Sequence, residues 1–165
     1  MRMPAMTAAA ALMVAACTTG TEAPPTISDI TVETDLTAIQ SREAVEFWQS
    51  LSSDLETALA AEFAGRIDPS GNPLVVDIDE LSMQRSFGAG VTVEDANLSG
   101  RATLVTPGDG FEDDTYTITA SSSDVIGNLP ENTDVVTISP TSDAYYRAIV
   151  QAFARGTADA FSGGA

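Results

Sequence analysis

Between positions 44 and 63 apolar residues recur every three or four places: Ala44, Phe47, Trp48, Leu51, Leu55, Ala58, Leu59 and Phe63. At 3.6 residues per turn they fall on one broad stripe, so the spacing predicts an amphipathic helix from about 41 to 64. Ser41 is placed to cap it, and Glu43 and Glu46 lie near the positive end of its dipole. Gly65 reads as the C-terminal stop, followed by Arg66 at the negative end. A stripe this wide has to be covered by an equally apolar surface, and that demand restricts the fold more than any other feature of the chain.

Alternating segments supply the surface. Over 29–36, Ile30, Val32 and Leu36 alternate with Asp29, Thr31, Glu33 and Asp35, a period of two that predicts a strand with one apolar face. A dense set of turn residues at 68–73 precedes a second strand over 74–83, with Leu74, Val76 and Ile78 inward and Val75, Asp77 and Asp79 outward. Leu81 and Met83 fall on the other parity, which a bulge near Glu80 would correct. Leu98, Ala102 and Leu104 alternate with Ser99, Arg101 and Thr103; Tyr116, Ile118 and Ala120 alternate with threonines. A short strand over 135–138 would be a fifth. Ser139 as cap and Pro140 at the first helical position open a last helix, whose stripe is Tyr146, Ile149, Val150, Phe153, Ala160 and Phe161. The expected fold is a two-layer α+β sandwich: a mixed, mostly antiparallel sheet of four to five strands with two helices on one face. Its order is strand-helix-strand-strand-strand-helix, and the first two strands are parallel if adjacent.

The chain has 165 residues, of which 24 are acidic and 7 basic, giving a net charge of −17; it contains no histidine. All the basic residues are arginine. Phosphates repel such a surface, so nucleic acid is not an expected partner, and flat adhesion to anionic lipid is equally disfavoured. Without histidine, the catalytic triads and zinc sites that use it are excluded. Gly88-Ala89-Gly90 is followed by Val-Thr-Val, not by a P-loop lysine or a helix start.

The first twenty residues have a different character. Arg2 gives a basic start, 5–16 is small and apolar apart from Thr7, and Val14-Ala15-Ala16-Cys17 precedes an abrupt change to Thr18-Thr19-Gly20. This is the layout of an export signal and is too short to span a bilayer. Val14 and Ala16 would also suit an ordinary secretory cut after Ala16. The four residues ending in Cys17 resemble the lipobox of bacterial lipoproteins. That resemblance implies cleavage before Cys17, a diacylglycerol thioether on its sulfur and acylation of the new amino terminus. It also implies a cell-envelope location facing the periplasm. Thr18, where an aspartate is associated with inner-membrane retention in some bacteria, favours the outer membrane.

The expected organisation is then a signal peptide over 1–16, a lipidated cysteine and linker over 17–26, one acidic domain over 27–161 and a tail over 162–165. Cys17 is the only cysteine, so no intramolecular disulfide can form, and its sulfur serves as an anchor. The linker over 18–26, with Pro24-Pro25, reaches only about 30 Å when fully extended.

Three patches offer chemistry. Asp77 and Asp79, two apart on a strand, would share a face at about 7 Å, within the range of inverting glycosidase pairs; a solvated polar face is the preferred reading. Asp109, Glu112, Asp113 and Asp114 crowd one interstrand loop, where oxygen ligands suit calcium, but their spacing is not that of an EF-hand and a solvated acidic hairpin loop is the preferred reading. Phe87 and Val91 flank flexible glycines between strands and are partner-contact candidates, although folding back over the end of the core is the preferred reading of both. Trp48 and the tyrosines lie on helical stripes and are read as core. No catalytic residue and no cofactor other than the covalent lipid on Cys17 is expected. The functional expectation is a lipid-anchored, non-enzymatic envelope adaptor or assembly and transport accessory factor with an unidentified envelope protein partner. The alternative is a carboxylate-dependent hydrolase or calcium-binding module at the periplasmic face.

Overall fold

The computed structural model describes residues 24–85, 91–108, 112–131 and 138–162. Strand β1 (Ile27–Glu33) is followed by a 3-10 turn at Leu36–Ala38, helices α1 (Arg42–Trp48) and α2 (Leu51–Glu62), and strand β2 (Asn72–Ile78). Helix α3 (Glu80–Arg85) leads to β3 (Leu98–Leu104) and β4 (Asp114–Ala120), then α4 (Ser122–Ile126) and α5 (Asp143–Ala160). The sheet order is β1-β2-β3-β4, parallel between β1 and β2 and antiparallel elsewhere. The mixed sheet and the parallel first pair are as the sequence predicts. Positions 132–137, which include most of the expected fifth strand, lie outside the described residues; Ile138 belongs to no strand and packs against the core.

One face of the sheet is apolar. Leu74, Val76 and Ile78 on β2, Leu98, Ala102 and Leu104 on β3, and Ile118 and Ala120 on β4 are all buried. Over this face lie α2 and α5, which bury Leu55, Leu59, Ile149 and Phe153. Gly100 sits where α5 crosses β3: a Cβ there would meet the Asp77 carbonyl at 2.7 Å and the Phe153 ring at 3.2 Å. The opposite face carries Asp77, Arg101, Thr115, Thr117 and Thr119 in solvent. Hydroxyl pairs between Ser99 and Thr119 and between Thr103 and Thr115, each at 3.1 Å, run across it.

The helices run side by side in the same direction. Near their starts the Tyr146 hydroxyl donates to Asp54 Oδ2 at 2.6 Å; near their ends Arg66 Nη1 donates to the Phe161 carbonyl at 3.1 Å.

Several expectations are corrected. The predicted helix over 41–64 is two helices, interrupted at Gln49 and Ser50. Serines at 50, 52 and 53 weaken the interior, and the Ser53 hydroxyl donates to the Ser50 carbonyl at 3.0 Å, which that carbonyl accepts alongside the backbone N–H of Asp54 at 3.0 Å as α2 begins. Ser41 does cap α1, accepting from Ala44 N. Gly65 is not a left-handed stop, since among the described residues Gly108 is the glycine with positive φ. The chain instead turns on through Arg66, whose carbonyl accepts from Ile27 N at 2.8 Å.

The second strand ends at Ile78 and needs no bulge near Glu80: the change of parity is the start of α3, where Met83 is buried and Leu81 is exposed. The irregularity in the sheet lies in β1, between Ile27 and Ile30. That strand is also shorter than predicted, because Asp35 accepts from Thr37 N at 3.0 Å and starts the 3-10 turn. Ser142, not Ser139, caps α5; Ser139 closes the turn before it through Ser142 N to its carbonyl at 3.0 Å.

Candidate functional site

Strand direction sorts the loops into two ends. At one end the chain enters at Thr26 and Ile27, the turn at 66–71 closes against it, and the β3–β4 loop and the end of α5 gather there too. Asn72 N donates to the Thr26 carbonyl at 3.0 Å and Asp68 N to the Ile27 carbonyl at 2.9 Å. Gly71 is required here, because a Cβ would stand 2.6 Å from the Thr26 carbonyl carbon and oxygen. At the other end, a strand length or about 23 Å away, lie the 3-10 turn, α3, the segment 91–97, α4 and the start of α5.

That distal end is knit by polar contacts, one of them fully buried. The Trp48 indole donates to the Met83 carbonyl at 3.1 Å, and Asp35 N donates to Glu80 Oε1 at 3.2 Å. Buried Ser82 accepts from Ser99 N at 3.0 Å and donates to the Asp79 carbonyl at 2.7 Å, tying α3 to the beginning of β3. Beside this rigid support is a pocket of about 560 Å³ lined by Val91, Val93, Glu94, Ile126, Ile138 and Pro140 among others. Val91 is half-buried there and packs against the core, while Ile126 is 46% exposed. The turn carrying Val93 and Glu94 is held by Asp95, whose Oδ2 accepts from the Thr92 hydroxyl at 2.8 Å.

The other candidates scatter. Phe87, Asp109 and Cys17 lie outside the described residues. Asp77 is exposed on β2 opposite Arg101 in register. Asp79 has left the strand and accepts from Leu81 N at 3.0 Å as the cap of α3, so the two aspartates do not form a pair on one strand face. Glu112, Asp113 and Asp114 are exposed at the end where the chain enters, and Asp113 Oδ1 accepts from Thr106 N at 2.8 Å, which closes the hairpin. Among the described residues no group of three or more acids is placed to hold a metal ion, and no helix is long and apolar enough to cross a membrane.

Two phenols on α5 are strongly perturbed. Burial raises Tyr145 well above the ordinary tyrosine value, and its hydroxyl has no hydrogen-bond partner among the described residues. Tyr146 is raised as well, first by burial and then by its hydrogen bond to Asp54 and that carboxylate's charge. Tyr146 packs edge-on against Phe47 at 5.3 Å and tilted against Trp48 at 5.7 Å. This cluster joins α1, α2 and α5, so its chemistry is that of a seam.

Comparisons with protein families, with curated proteins and with solved structures find no match to this chain.

Of the residues lining this pocket, Val91 is the one the sequence marks as a contact candidate, and its packing against the core is the fold-back arrangement preferred for it; Ile126 carries no such mark. Ile126 sits in a five-residue helix, too short to show a helical period, and Ile138 follows a segment that alternates like a strand. The one available signal was Ile126 followed directly by Gly127, a large apolar residue at a helix end with nothing beyond it to cover it.

Proposed function

We propose that this chain is a lipid-anchored envelope protein, held to the periplasmic face of the outer membrane through Cys17. Within that setting it acts as a non-enzymatic adaptor in assembly or transport. The observation that carries the proposal is the placement of the two ends. The linker joins the domain at Thr26, at the same end of the sheet as the acidic hairpin with Glu112, Asp113 and Asp114, whereas Val91, Ile126 and Ile138 line a pocket at the opposite end. A tether attached at one end and apolar surface exposed at the other suits a protein that holds a partner away from the membrane.

A photoreactive amino acid placed at Ile126 tests the reading in intact cells. Irradiation should yield an adduct with another envelope protein that is lost in a Cys17→Ala background, whereas the same residue placed at Asp113 should give none. An adduct of equal yield from both positions, or one indifferent to Cys17, would contradict it.

A further inference from the structure

We infer that the free edge of β1 accepts an extended, basic segment of a partner protein as a fifth strand. The inference makes the adaptor reading more specific by naming a partner chemistry, but it stands on the soluble domain and does not require lipidation at Cys17.

Among the described residues β1 is an outer strand of the sheet and pairs over 30–33 with β2 alone; at Ile27 its backbone is already bridged by Arg66 and Asp68, so the open stretch of edge begins at Ile30. The backbone N–H of Val32 points away from β2 and donates to Glu56 Oε1 on α2 at 3.2 Å. In a strand, alternate residues present their N–H and C=O groups to the same side, so Ile30 shares this outer edge with Val32. A side-chain carboxylate thus occupies the place of a neighbouring strand's carbonyl. Below it, between β1 and α2, runs a groove of about 440 Å³ with Ile27, Ile30, Ala60 and Ile67 as its apolar walls. Ile67 is 47% exposed, one of the few large apolar side chains left in solvent.

The charge of the groove selects the occupant. Its titratable residues, Asp29 and Glu56, are both acidic, in a chain of net charge −17. An incoming strand would give a carbonyl to the Val32 N–H, place alternate apolar side chains against Ile30 and Ile67, and set arginine or lysine beside Asp29 and the released Glu56 carboxylate. The irregularity between Ile27 and Ile30 confines regular pairing to 30–33, so the added strand is short.

The test is fluorescence anisotropy of the purified protein with a labelled peptide of alternating valine and arginine, at physiological salt. The comparison peptide has the same sequence with alternate backbone nitrogens methylated, which keeps charge and removes strand pairing. The plain peptide should bind at least about tenfold more tightly than the methylated one. The double substitution Asp29→Arg with Glu56→Arg, at an exposed and a half-buried position, should weaken the plain peptide by at least about tenfold while circular dichroism shows the domain still folded. Equal binding of the two peptides would reduce the effect to bulk acidity and overturn the proposal, as would unchanged binding to the double variant. A dimer in sedimentation that the double variant dissolves would assign the edge to a second copy of this chain and overturn it equally.

Discussion

Adjacent tyrosines on α5 have opposite energetic standing. Tyr146 donates to a carboxylate, so Tyr146→Phe leaves Asp54 without its donor and should cost about 1–2 kcal/mol. The Tyr145 hydroxyl is buried and unpartnered among the described residues, so Tyr145→Phe should be neutral or stabilising. Urea unfolding midpoints of the two variants check this contrast. Both phenols are held above the ordinary value of about 10, so the folded chain keeps these protons more tightly than the unfolded chain. Their contribution to stability is complete below about pH 10 and is lost as the pH rises beyond it. Unfolding free energy measured from pH 8 upward should therefore fall steeply above about pH 10, and the double variant Tyr145→Phe with Tyr146→Phe should fall less.

The elements hold together through close approach and through caps. Gly100→Ala forces α5 away from β3, because a methyl group would meet backbone at Asp77 as well as Phe153, and should cost about 1–3 kcal/mol in denaturant unfolding. Asp124 is held below the usual carboxylate range by hydrogen bonds from the Ser121 side chain and backbone at the start of α4. Its contribution is present above the ordinary aspartate value of about 4 and is lost as the pH falls through its depressed one. Asp124→Asn should lower amide-exchange protection of α4 at neutral pH and flatten that acid loss, while leaving β3 unchanged.

Local period and cap chemistry made most of these elements legible in the sequence. The inward residues of β3 and β4 follow from alternation alone, and Ser41 follows from its place before the helical stripe. Tertiary competition explains the misses. Asp79 looks like a strand residue until its side chain caps α3, and the stripe over 44–63 runs unbroken through a helix break because Trp48 and Leu51 face the same core on either side of it. The pocket brings Ile126 of α4 together with Val91–Glu94, positions distant in sequence, so it had no local signature beyond Val91.

At the scale of the whole molecule the domain has polarity. Acidic Asp68, Glu112, Asp113 and Asp114 are exposed at the end of the sheet where the chain enters at Thr26, which a nine-residue linker holds within about 30 Å of any anchor at Cys17. Facing anionic lipid, they would hold the domain off the surface over a screening length of about 8 Å and leave the pocket at Ile126 pointing outward. The polarity has this meaning only if Cys17 is the anchor, which makes lipidation the claim on which the account turns. Growth of expressing cells with radiolabelled palmitate measures it directly. Label should enter the wild-type protein and not Cys17→Ala; equal labelling of the two, or no label in either, would show that Cys17 is not the anchor.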